Sequence, residues 1–80
     1  MKTFWLSFVL DGSFAGVAIV DAGNLPGACE IAWRLGCNPG GEVHGIALPA
    51  DVDIPADYKN VLLDRAAAVA LRDRLVKPVH

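Results

Sequence analysis

The chain has 80 residues, enough for one small domain spanning 1–80 and too few for two. Its formal net charge is only −2, so it lacks the dense basic footprint that binding a phosphate backbone requires, and it is not acidic enough to mimic DNA. Hydrophobic residues make up 54% of it; so much apolar surface in so short a chain implies an efficient core, a self-associating face or a partner.

Residues 3–10, TFWLSFVL, are aromatic and β-branched. Their alternation sets Phe4, Leu6, Phe8 and Leu10 against Trp5, Ser7 and Val9, which predicts a strand with both faces largely apolar. Such a strand belongs at the centre of a sheet. Lys2 followed by FWLSFVL, with Val20-Asp21-Ala22 further on, has the outline of a secretory leader. Asp11 and Gly12 interrupt the apolar run after seven residues, which argues against that outline and against a transmembrane helix of roughly 20 residues. A cytoplasmic protein is the expectation.

Asp11-Gly12-Ser13 has the length and glycine content of a hairpin connection, and FAGVAIV, 14–20, is the predicted return strand. Ala15, Val17 and Ile19 form its bulkier side, Gly16 and Ala18 its smaller one. Asn24 is placed to cap a helix over 25–35, with Pro26 in the first turn. Leu25, Ala28, Cys29, Ala32 and Leu35 recur at helical spacing as the predicted buried stripe, while Glu30 and Arg34 form an i,i+4 pair on the outer side. Gly36 stands where a left-handed stop is wanted.

Residues 42–48, EVHGIAL, return to strand periodicity and Pro49 ends them. Residues 50–63 read as loop, with one turn near Pro55-Ala56-Asp57-Tyr58. Asp64 then caps a last helix, RAAAVALRDRL, with Ala67, Ala68, Leu71 and Leu75 as its apolar side and Pro78 as its stop. The order ββαβα predicts a two-layer α+β fold. Its three-stranded antiparallel sheet has the order 2-1-3, and both helices lie on one face. The opposite face would then expose an apolar set for association.

Chemistry is sparse. Cys29 and Cys37 lie about 12 Å apart along a helix, too far for a disulfide, and are read as reduced, Cys29 in the core and Cys37 in the turn. Two thiols and one histidine fall short of a zinc site. A triad of Cys37, His44 and an aspartate would need a strand residue to fold back onto the turn. Asp51, Asp53 and Asp57 sit in a proline-broken loop without calcium-loop spacing. The arginines Arg65, Arg72 and Arg74, with Lys77, are interspersed with Asp64 and Asp73, the pattern of a solvated helix face.

Asn38-Pro39-Gly40-Gly41 resembles a phosphate loop in composition only. It follows a helix C-terminus, where carbonyls and negative dipole face the ligand, whereas phosphate loops precede an N-terminus. The junction of the right polarity is 21–28, DAGNLPGA, but no cation adjoins it in sequence and Pro26 lacks a donor. The candidate contact residues are therefore Trp5, Trp33, Asn38, Gly40, Gly41, His44 and Tyr58, the tryptophans as interface anchors.

FWLSF, LGCNPGGEV and IPADYKNVLLDR together resemble a family of short uncharacterised proteins of phages and bacterial mobile elements, over nearly the whole chain. The three-residue connection DGS replaces a longer polar loop in that pattern. The resemblance implies an accessory role and carries no activity and no site residues. The expectation is a non-enzymatic interaction protein without cofactor, binding a protein partner or a second copy and inhibiting a host or defence complex. The alternative is a small-ligand, nucleotide or anion-binding domain using the 21–28 junction or the open sheet face.

Overall fold

The computed structural model describes residues 1–75. β1 (Lys2–Leu10) and β2 (Ser13–Ala22) form a hairpin, α1 (Leu25–Arg34) crosses to β3 (Glu42–Ala47), and a short 3₁₀ turn (Ala56–Tyr58) leads to β4 (Leu62–Leu63) and α2 (Arg65–Leu75). The strands make one antiparallel sheet in the order β3-β1-β2-β4. The fold is α+β, and the predicted order 2-1-3 lies inside this sheet. β4 is the element that periodicity missed, since two residues are too few to alternate. The stop expected at Pro78 lies outside the described residues, as does Lys77.

Local chemistry accounts for the joints. Asp11 and Gly12 both have positive φ, 52° and 77°, the type I′ geometry whose twist matches the hairpin strands. The Asn24 side chain accepts the Gly27 N–H at 2.8 Å, and the Asp64 carboxylate accepts that of Ala67 at 2.8 Å; both helices are therefore capped by the predicted residues. At the end of α1, Gly36 has φ +76°. The Cys37 N–H donates to the Ala32 carbonyl at 2.9 Å and the Gly36 N–H to that of Trp33 at 3.1 Å. These are the paired bonds of a Schellman stop.

The helices lie on opposite faces of the sheet, which corrects the expected two layers to three. Phe4, Leu6 and Phe8 with Ala18, Val20 and Ala22 pack under Ala28 and Ala32 of α1. Val17 and Ile19 with Leu63 pack under Ala68 and Leu71 of α2, where Trp5, Phe14 and Tyr58 adjoin them. The reason is compositional: both faces of the central pair are apolar, so each needs a cover. Handedness constrains the β2–α1–β3 crossover alone, and α2 is free to take the other side.

Three further expectations change. A bulge shifts the β1–β2 register, so that Phe8 faces Gly16 while Val9 faces Phe14. Ala15 consequently packs with the α1-side cluster and Phe14 with the other, against a strict alternation that grouped Ala15 with Val17 and Ile19. The stripe of α1 is narrower than predicted: Ala28 and Ala32 are buried, whereas Leu35 is 52% exposed. The cysteines exchange roles, because Cys37 turns inward after the stop and is buried, while Cys29 is only half-buried.

Candidate functional site

α2 rests on β2 and β4 and makes no comparable contact with β1 or β3, whereas α1 reaches β1, β2 and β3. Among the described residues, no helix covers the β1 and β3 part of the sheet's α2-side face. Residues 48–55 follow β3 across this gap, held where the Leu48 N–H donates to the Thr3 carbonyl at 2.8 Å. Ile54 is buried in the α2-side cluster. Between this loop, the sheet and α2 lies a cleft of about 590 Å³.

Its floor is Trp5 and Ser7 of β1, Phe14 and Val17 of β2, and Ile46 of β3. One wall is Leu48, Pro49 and Val52; the other is α2, through Arg65, Ala68, Val69, Arg72 and Leu75. These α2 positions recur at helical spacing and form one face. Ile46 is 62% exposed and Val69 37%, so apolar side chains of the cleft are open to water. The polar groups of the lining are Ser7, Arg65 and Arg72. The Arg65 guanidinium stands 5.0 Å over the Phe14 ring, a cation–π contact that holds its charge at the cleft. Arg72, two turns further along, adds a second cation about 10 Å away.

Arg74 points elsewhere, 5.9 Å from the centroid of the Tyr58 ring. Tyr58 packs beside the α2-side core, and its N–H donates to the Pro55 carbonyl at 3.0 Å. Nearby, the Lys59 ammonium donates to Asp21 at 3.2 Å, and the Thr3 hydroxyl to the same carboxylate at 2.6 Å. The Thr3 hydroxyl, with Lys59 in support, holds the Asp21 carboxyl below its usual range against an opposing effect of burial. Lys59 thus adjoins the 21–28 junction through space, where sequence distance showed no cation. That junction is nevertheless ill-suited to an anion. Pro26 has no N–H, and the Gly27 and Ala28 N–H groups are already taken by the Asn24 side chain and carbonyl.

The sequence candidates are scattered. Trp5 lines the cleft, whereas Trp33 is 66% exposed on α1, across the sheet from it. Asn38, Gly40 and Gly41 have work within the fold: the Asn38 side chain accepts the Gly40 N–H at 2.8 Å, and Gly40 and Gly41 both have left-handed φ. His44 is exposed on β3, opposite Ser7. That places its side chain on the α2 side of the sheet, while Cys37 is buried on the α1 side, where burial pushes its thiol pKa up. Asp51, Asp53 and Asp57 are exposed, and among the described residues no group of three or more metal-ligating side chains converges. Sequence reasoning missed Ile46, Arg65 and Arg72 as cleft residues, because their meeting depends on which face α2 covers.

Comparison with protein-family models, curated proteins and solved structures finds no match to this chain.

Proposed function

We propose that this chain is a small, non-enzymatic interaction domain. Its cleft receives an apolar segment of a partner protein, with carboxylates placed to meet Arg65 and Arg72. The observation that carries this reading is the composition of the cleft: aromatic and aliphatic walls with two arginines on one helix face. Buried aromatic anchors with flanking arginine are what concentrates binding energy at protein interfaces. The likeness of FWLSF, LGCNPGGEV and IPADYKNVLLDR to short phage and mobile-element proteins favours an accessory role for this binding, and inhibition of a host or defence complex is the form of that role we propose. Two unpaired thiols suit the reducing cytoplasm of a bacterial host.

The experiment is selection from a random peptide library, followed by mapping of the enriched peptides through amide shifts. Peptides carrying aromatic or aliphatic residues with flanking Asp or Glu are expected, with shifts centred on Trp5, Ile46 and Val69. Val69→Glu and Arg72→Glu should each abolish binding in a folded chain. Peptides that map elsewhere, or that bind both variants unchanged, overturn the reading.

A small-ligand reading has one observation in its favour, since about 590 Å³ lies within the usual range for small-molecule sites. The same two arginines would then meet the acidic head of an amphiphile. A thermal-shift screen with nucleotides, inorganic anions and fatty acids decides it, and a flat result removes it.

A further inference from the structure

The two edges of the sheet are unlike. β4 is two residues long, whereas β3 spans Glu42–Ala47 and pairs with β1 without a break in register. Among the described residues no strand lies on the outer side of β3. No proline, lysine or bulge interrupts it, although these are the devices that keep an edge strand single.

Its hydrogen-bonding pattern can be assigned. The Leu48 N–H donates to the Thr3 carbonyl, so residues 48 and 3 form a hydrogen-bonded pair of the antiparallel ladder. Such pairs recur at every second residue. Ile46, His44 and Glu42, opposite Trp5, Ser7 and Val9, therefore spend their backbone groups on β1. The N–H and C=O groups of Val43, Gly45 and Ala47 point away from the sheet. This outward set is symmetric about Gly45.

We infer that β3 pairs antiparallel with β3 of a second copy, about a two-fold axis through Gly45, giving one continuous eight-stranded sheet. Val43 then faces Ala47 of the other copy and Gly45 faces Gly45, so every outward backbone group of the strand finds a partner. A register moved by two residues leaves some of them unpaired. Side-chain chemistry agrees. Like charges do not oppose each other, because Glu42 meets Leu48 of the other copy. Gly45 has no side chain at the axis, and Leu25 sits over it. The two Leu25 side chains, each 36% exposed, approach across the axis on the α1 side. On the other side Ile46 lies opposite the second copy's His44, which completes the cleft wall beyond β3. The pairing stands apart from the peptide-binding reading, because a monomer still has its own cleft.

The full chain should shift from monomer to dimer mass in sedimentation velocity between low-micromolar and millimolar concentration. Val43→Pro removes an outward N–H and leaves the β1 ladder intact; it should remain monomeric with an unchanged far-ultraviolet spectrum. A second measurement does not depend on that variant folding. In a Cys29→Ser background, His44→Cys combined with Ile46→Cys places thiols in a non-hydrogen-bonded pair, about 4.5 Å between Cα atoms and within disulfide reach. Mild oxidation should link most of the double variant into covalent dimers and leave His44→Cys alone unlinked. A monomer at every concentration, a folded Val43→Pro dimer, or linkage by His44→Cys alone as efficient as by the pair overturns the assignment.

Discussion

Gly41 lies against the carbonyl of Val9 so closely that a Cβ at position 41 would overlap its oxygen and press on Leu10. The glycine run after Pro39 is thereby explained from within the fold. It brings the chain over the end of β1 to begin β3, and both Gly40 and Gly41 do so at left-handed φ, 91° and 77°. The two glycines are not equivalent, since a Cβ at Gly40 meets nothing within 4 Å. Gly40→Ala should cost only the conformational penalty of about 1–2 kcal/mol, and Gly41→Ala about 3 kcal/mol or more, because β1 must move. Urea denaturation of the two variants checks the difference, and equal losses would refute the steric account.

The hairpin, both helix caps, the Gly36 stop and the central place of β1 were legible because each rests on local chemistry. Asp11-Gly12, Asn24, Asp64 and the apolar run 3–10 act within a few residues of themselves. What depended on distant partners was not. The side taken by α2 follows from the apolar pair Val17 and Ile19 needing a cover, which the alternation of 14–20 contained but did not assign. β4 had one signal, Gly16. Its φ is +136°, and a Cβ there would lie 2.6 Å from the Leu62 side chain. A glycine inside a strand marks a bulge or a close approach, and here it marks both. The cleft was out of reach for the same reason, because Trp5, Ile46 and Arg72 meet only once the faces are assigned.

Leu71 is fully buried between α2 and the sheet. Truncating it leaves a cavity that neighbouring side chains refill only in part, so Leu71→Ala should lose about 2–5 kcal/mol. Val69, two positions away and on the cleft, is 37% exposed, and Val69→Ala should change stability by less than about 1 kcal/mol. Thermal melts of both variants test whether α2 packs through the Leu71 side. Comparable losses would mean that the cleft is closed in solution.

The thiols should separate cleanly by reactivity. Cys37 is buried under α1, and loss of solvation holds its thiol pKa above the usual value. Cys29 is half-buried. A disulfide exchange reagent should titrate Cys29 in the native chain and reach Cys37 only on unfolding. Because Cys37 waits on opening of the fold, its modification rate should rise with urea while that of Cys29 changes little. Rapid native labelling of Cys37 would contradict its place in the core.

Asp21 ties stability to acid. The Thr3 hydroxyl is the largest cause of its lowered pKa, and Lys59 adds to it. A carboxyl titrating below its ordinary 3.8 binds its proton more weakly in the folded chain than in the unfolded one. Its contribution is therefore complete above about pH 4 and is lost as pH falls through the lowered value. The Asp21 side chain is 44% exposed, so screening limits the effect to well under about 1 kcal/mol. Asp21→Asn should reduce stability at neutral pH, and its difference from the parent chain should shrink as pH falls below about 4 and through the lowered pKa. Thr3→Val should flatten the same acid slope more than Lys59→Met does, since the hydroxyl bond outweighs the ammonium. Denaturation midpoints of the variants across acid pH measure both, and a Lys59→Met effect larger than that of Thr3→Val would reverse the ranking.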